Sequence, residues 1–194
     1  MHTHEILAIA SAIVPDRTAI TFDDQTTTFE GLAARANQLA NALAELGVEA
    51  GDRLAIIDVN TPQHLELYFA AARLDAIFVP LNFRDRAEEV RYPIEHTDPK
   101  VILVGSRYTG LVDELRPHAV STNNLIVSGQ GTGDWQSYEE LLSLGDANEV
   151  RFPKGDPENT AVLLFTAGTT GRPKAVMLSH LSFTEFMLTN VEPP

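Results

Sequence analysis

The stretch Arg53-Leu54-Ala55-Ile56-Ile57-Asp58-Val59 constrains this chain more than any other. Side chains of a strand point alternately to opposite faces, so the four consecutive apolar residues at 54–57 need cover on both sides. A half-wet antiparallel sheet does not supply it. A parallel sheet between two layers of helices does.

The segments around it read as those layers. From Phe29 to Leu46 the residues Leu32, Ala33, Ala36, Leu39, Ala40, Leu43 and Leu46 fall on one helical stripe, with Thr27 or Thr28 at the capping position and Gly47 at the left-handed stop. Thr61-Pro62 caps and starts a helix over 62–74, and 77–80 returns as a strand, which makes a right-handed strand-helix-strand unit. The alternation continues through a helix over 84–97 that Pro93 should kink or cut short. It then runs through a strand at 101–104, a helix at 108–115 and a strand at 124–127. A helix at 137–144 follows, capped by Ser137 with Glu140 three residues on. Ahead of all this lie a short helix over 5–13, with Ile6, Ile9, Ala10 and Ile13 as its apolar side, and a hairpin of 19–22 and 27–29 about Asp23-Asp24-Gln25. The expected class is α/β, with a mainly parallel sheet covered by helices on both faces. Gly129–Asp134 and Gly145–Pro157 are the loosest segments. A boundary in the second gives an N-terminal lobe at 1–158 and the start of a second lobe at 159–194.

The other informative stretch joins the apolar run 161–165 to the apolar run 175–178 through Thr166-Ala167-Gly168-Thr169-Thr170-Gly171-Arg172-Pro173-Lys174. It reads as strand, loop and strand. Gly168 and Gly171 let the backbone turn and approach a ligand, and the hydroxyls of Thr166, Thr169 and Thr170 add donors. Successive N–H groups in a concave row suit an oxyanion, with Lys174 as a point charge beside them. The 26 residues from Asn159 to Thr184 hold no Asp or Glu, although even spreading of the chain's 27 acids would place three or four there. A solvated hairpin turn, with its threonines present for strand propensity, fits the same letters. The P-loop of nucleotide kinases does not, because the spacing from Gly168 to Lys174 is wrong and no helix starts at the lysine.

Residues 166–176 closely resemble the signature loop of the adenylate-forming superfamily, the acyl-CoA synthetases, luciferases and adenylation domains of peptide synthetases. Ala167 stands where serine is usual and Ala175 where glycine is usual. The resemblance extends to Leu32–Gly47, to Gly51–Ile56 and to Ala70–Arg84, where Asp75 replaces a glycine; Asn82-Phe83-Arg84 is similar to the acyl-CoA synthetase branch. It implies a parent enzyme that activates a carboxylic acid, expected to be fatty, with ATP and Mg2+ to an acyl-adenylate and passes the acyl group to coenzyme A. It implies that Thr166, Ala167, Gly168, Thr169, Thr170, Gly171 and Lys174 cradle the nucleotide phosphates, with Thr166 also near the magnesium. No catalytic residue is assigned within these 194 residues. Family members are more than twice as long, so the chain is expected to be an N-terminal fragment, silent alone, with an open sheet edge at the 161–178 hairpin where a second copy could pair. A non-catalytic binding module derived from such an enzyme is the alternative, with Ala167 and Ala175 in its favour.

A net charge of −13 argues against nucleic acid and anionic membrane as partners. With no cysteine the chain has no disulfide scaffold, thiol nucleophile or zinc-thiolate site, which fits a cytoplasmic protein, and no apolar run is long enough to span a membrane. The histidines read as structural: His2 and His4 in a frayed terminus, His180 at a surface or cap, and His64, His96 and His118 at exposed helix positions. Trp135 reads as packing under a glycine-rich loop.

Overall fold

The computed structural model describes residues 1–148, 155–166 and 173–190. Its centre is the strand expected from the apolar run, β3 (Arg53–Ile57), with parallel neighbours β4 (Ile77–Pro80) and β5 (Val101–Gly105) on its two sides. Beyond β5 lie β6 (Asn124–Ser128) and β7 (Trp135–Ser137), both parallel; beyond β4 lies β8 (Thr160–Thr166), also parallel, and then β9 (Lys174–Ser179), antiparallel at the edge. The hairpin expected to open a second lobe therefore hydrogen-bonds into this same seven-stranded sheet through β4. A separate two-stranded hairpin joins β1 (Thr18–Phe22) to β2 (Gln25–Thr28).

Both faces of β3 are covered, and alternate residues show it. Leu54 and Ile56 enter one core with α2 (Phe29–Glu45), α3 (Pro62–Leu74) and α6 (Tyr138–Leu144), through Leu39, Leu43, Leu67 and Leu141. Ala55 and Ile57 enter the other, with α4 (Ala87–Thr97) and α5 (Thr109–Leu115), through Val90, Ile94 and Val112. The α2 stripe is buried as its spacing predicts, Thr28 accepts from the Gly31 N–H at 3.1 Å, and Gly47 holds a positive φ. Four aspartates, Asp23, Asp24, Asp75 and Asp98, also hold positive φ, at turns and helix ends.

Five local expectations are corrected. The first helix, α1 (Thr3–Ile13), buries Thr3 and Leu7 against α2, α3 and α7 (His180–Asn190), while Ile9 and Ile13 face solvent, so the stripe of isoleucines is not its packed side. Helix α4 runs through Pro93 rather than ending there. The carbonyl left without its N–H partner belongs to exposed Glu89, where water can serve it, and the Thr97 hydroxyl donates to the Pro93 carbonyl at 2.7 Å. It also starts late, because the Asn82 side chain folds 82–85 into a turn by accepting from the Arg84 N–H at 3.2 Å. Ser137 stands at the N-cap of α6 as expected, but its side chain makes no capping bond; it also ends β7, a strand absent from the sequence reading, and Trp135 lies on that strand in the second core rather than under a loop.

One polar network is enclosed on the α2 side. Glu66 of α3 is 1% exposed and receives two bonds from Arg35 of α2, at 2.7 and 3.2 Å, and one from the Tyr138 hydroxyl. Burial, then the Glu66 carboxylate, push the Tyr138 phenol well above its ordinary value, so it remains a donor. Arg35 also reaches Glu139 at 2.7 Å, so three helices share one guanidinium. Removing it leaves a buried carboxylate without its cation. Arg35→Ala is expected to destabilise the fold by about 3 kcal/mol, against about 1 kcal/mol for Tyr138→Phe, read from urea midpoints.

Candidate functional site

The loop singled out by sequence is held by a hairpin whose two strands pair from Thr160↔Ser179 to Thr166↔Lys174, with one register shift between Thr160 and Val162. Ala167, Gly168, Thr169, Thr170 and Gly171 lie outside the described residues. The two ends of the loop are described. Thr166 and Lys174 form the last pair of the ladder, both exposed, and the Thr166 hydroxyl donates to the Lys174 carbonyl at 3.4 Å. Among the described residues no carboxylate pairs with Lys174, so its ammonium is not committed to an ion pair with any of them.

Phe165 fixes where β8 delivers this pair. Its ring meets Tyr92 and His96 of α4 edge-on, at centroid distances of 6.4 and 6.3 Å, and those two rings are themselves stacked at 5.4 Å. The hairpin thus leaves the sheet at the carboxyl ends of the parallel strands, where open α/β sheets hold their ligands. A cleft of about 280 Å³ lies there, lined by Asp58, Asn60, His64, Asn82, Asp85 and Phe165 among others.

The chemistry of that cleft is set by burial. Asp58 follows β3, accepts from its neighbour's N–H at 2.8 Å and from the Ser128 hydroxyl at 3.2 Å, and fills the crevice where β3 and β5 diverge. Gly105 at the end of β5 is required there, since a Cβ would lie 2.2 Å from the Asp58 carboxylate. Burial pulls His64 below 6.5 while the charge of Asp58 opposes it. Burial raises Asp85, with Glu89 adding to the effect and Asn82 offsetting it. The cleft carries two carboxylates, Asp58 and Asp85, and no lysine or arginine among its lining residues.

A second constellation was missed by sequence reasoning, and it overturns two expectations. His2 is not part of a frayed terminus: it is 3% exposed, with Nε2 2.9 Å from the Gly155 carbonyl. His4 is also held, its Nδ1 3.1 Å from the Ala72 carbonyl. His180 is not a surface residue but wholly buried at the start of α7, its ring 4.3 Å from that of His2. Asp75 joins them, with Oδ1 3.5 Å from His180 Nε2. His64 and His118 are half-buried rather than exposed, and His118 pairs with Glu95 at 2.8 Å; His96 is exposed, as read. These residues are 178 positions apart at the extremes, so no spacing signal linked them; the one available hint was an aspartate in place of glycine at 75.

Comparison with known proteins agrees with the fold. A family model described as AMP-binding enzyme matches residues 8–193. An indoleacetate–CoA ligase from Aromatoleum aromaticum is 33% identical over 170 residues, 88% of this chain and 33% of that protein. A long-chain-fatty-acid–CoA ligase from Thermus thermophilus is 33% identical over 155 residues, 79% of this chain and 28% of that protein. The structure of a luciferase-like enzyme from the nonluminescent mealworm Zophobas morio superposes with a TM-score of 0.88 at 25% identity, covering 97% of this chain and 45% of that one. The chain spans about a third of the length of the curated relatives it matches.

The balance between burial and charge at His64 is measurable. His64 is expected to titrate below 6.5, and Asp58→Asn to lower its midpoint further by removing the carboxylate that stabilises the imidazolium, as followed by 15N chemical shifts against pH.

Proposed function

The chain belongs to the AMP-binding enzyme family, and from that premise we propose that its parent protein joins a carboxylic acid to coenzyme A through an acyl-adenylate, using ATP. The observation that carries the reading is the end of the β8–β9 ladder, where an exposed Thr166 hydroxyl and a Lys174 ammonium with no carboxylate partner among the described residues flank the glycine- and threonine-rich loop. A hydroxyl donor, a cation and no described carboxylate paired with it are the chemistry a polyphosphate requires.

In this reading Thr166, Thr169 and Thr170 donate hydroxyl hydrogens, Ala167, Gly168 and Gly171 offer backbone N–H groups, and Lys174 supplies the charge. ATP, bound with Mg2+ near Thr166, provides the electrophilic α-phosphorus. The chain's own residues orient the β- and γ-phosphates and offset the charge that gathers on the departing pyrophosphate. Phe165, wedged on α4, holds the loop's entry strand while this happens. Residues 159–194 are the link by which the lobe at 1–158 carries the loop to the start of a second lobe.

The acid is proposed to be fatty, a reading supported by relatives named for medium-chain and long-chain fatty acids. No described helix is long and apolar enough to cross a membrane, and together with the absence of cysteine this accords with the cytoplasmic location we propose. Because β9 is a sheet edge with Met177 72% exposed, pairing of two copies along it is the proposed mode of self-association.

Lys174→Ala in the longer protein is expected to slow ATP–pyrophosphate exchange by about 100-fold with an unchanged melting temperature. The 194-residue chain alone is expected to show no exchange. Undiminished exchange in the variant would leave the loop without the role given to it, and a panel of fatty and aryl acids in the same assay identifies the substrate class.

A further inference from the structure

Three side chains from distant parts of the chain meet at the base of the β8–β9 hairpin, opposite its loop. They are His2 ahead of α1, Asp75 at the end of α3 and His180 at the start of α7; all three are buried, and one ligand-capable atom from each lies within 4.8 Å of the other two. Among the described residues two atoms at the centre have no hydrogen-bond partner, Asp75 Oδ1 and His180 Nε2, and they face one another at 3.5 Å.

Everything around them is oriented. Asp75 Oδ2 accepts from the Asn159 amide at 2.7 Å, which turns Oδ1 inward. The Gly155 carbonyl can only accept, so His2 Nε2, 2.9 Å away, carries its hydrogen and leaves Nδ1 as a lone pair. The Thr3 hydroxyl lies 3.1 Å from His180 Nδ1 and can accept a hydrogen from it, the tautomer that leaves the lone pair on Nε2. Gly155 also closes the chamber, since a Cβ there would lie 1.9 Å from the Asp75 carboxylate. Burial first, then His2, push His180 down to about 4, so its imidazole is neutral.

We propose that His2, Asp75 and His180 form a divalent transition-metal site, of the kind that takes Zn2+, which fastens α1 and the α3–β4 turn to the base of the loop-bearing hairpin. Two imidazoles and a carboxylate suit zinc, and two ligand atoms each about 2.0–2.1 Å from a tetrahedral ion lie about 3.3–3.4 Å apart, close to the spacing of the two unpartnered atoms. The bonds from Gly155, Thr3 and Asn159 fix ligand orientation in the way such sites need. The proposal does not depend on what the loop binds.

The test uses the purified 194-residue chain, stripped with EDTA and returned to Zn2+ or Co2+ alone. Zn2+ at about 100 times its Kd is expected to raise the melting temperature by about 5–10 °C. One equivalent of Co2+ is expected to give the visible absorption of a four-coordinate site. His2→Gln and Asp75→Asn are each expected to abolish both signals. Unchanged melting, or an equal shift in wild type and both variants, overturns the proposal as adventitious binding to surface acids. Should Asp75→Asn fail to fold, the wild-type chain decides by 15N NMR of its six imidazoles: Zn2+ must perturb His2 and His180, and perturbation of His64, His96 or His118 in their place refutes it.

Discussion

The rest of the structure depends on β3 being dry on both faces. Because Leu54 and Ile56 point one way and Ala55 and Ile57 the other, neither helical layer can be removed without wetting the central strand. The two cores are therefore coupled through one run of residues. That coupling places α3 and α4 on opposite faces and opens the cleft at the strand ends between them. Phe165 then uses α4 as its stop, so the position of the ladder end at Thr166 and Lys174 follows from the same packing that buries β3.

Most of the fold was legible because it is written in local chemistry. The stripe of α2, the Thr-Pro start of α3 and the glycine stop at 47 each name their own structure. Two of the misreadings, at α1 and at Ser137, share a physical cause, which is that long-range packing overrode a local signal. The isoleucines of α1 form a plausible apolar face, yet the helix is rolled so that Thr3 and Leu7 meet its neighbours. Ser137 has a capping side chain, yet its residue was taken by a short strand pairing with β6. Pro93 breaks helices in general, yet here the bond it removes is one that water can replace.

The site divides in the same way. The strands β8 and β9 on either side of the loop were legible because the two apolar runs flank a contiguous stretch of unusual composition. The His2, Asp75 and His180 cluster was not, because its members come from the beginning, the middle and the end of the chain and each alone looks ordinary. Only the closing of α1 and α7 over the α3–β4 turn brings them together. The hairpin is then gripped at both ends: by aromatic contacts near the loop and by a buried polar cluster at its base.

Two of the four aspartates at positive φ bear on a property far from any site. Asp23 and Asp24 are exposed turn residues whose side chains serve backbone geometry, work that asparagine or glycine does equally well. Part of the chain's acidity is thus a by-product of how it bends rather than an electrostatic device. Neutral replacements at those two corners would shift its isoelectric point upward and alter its behaviour on ion-exchange media while leaving the architecture as it is.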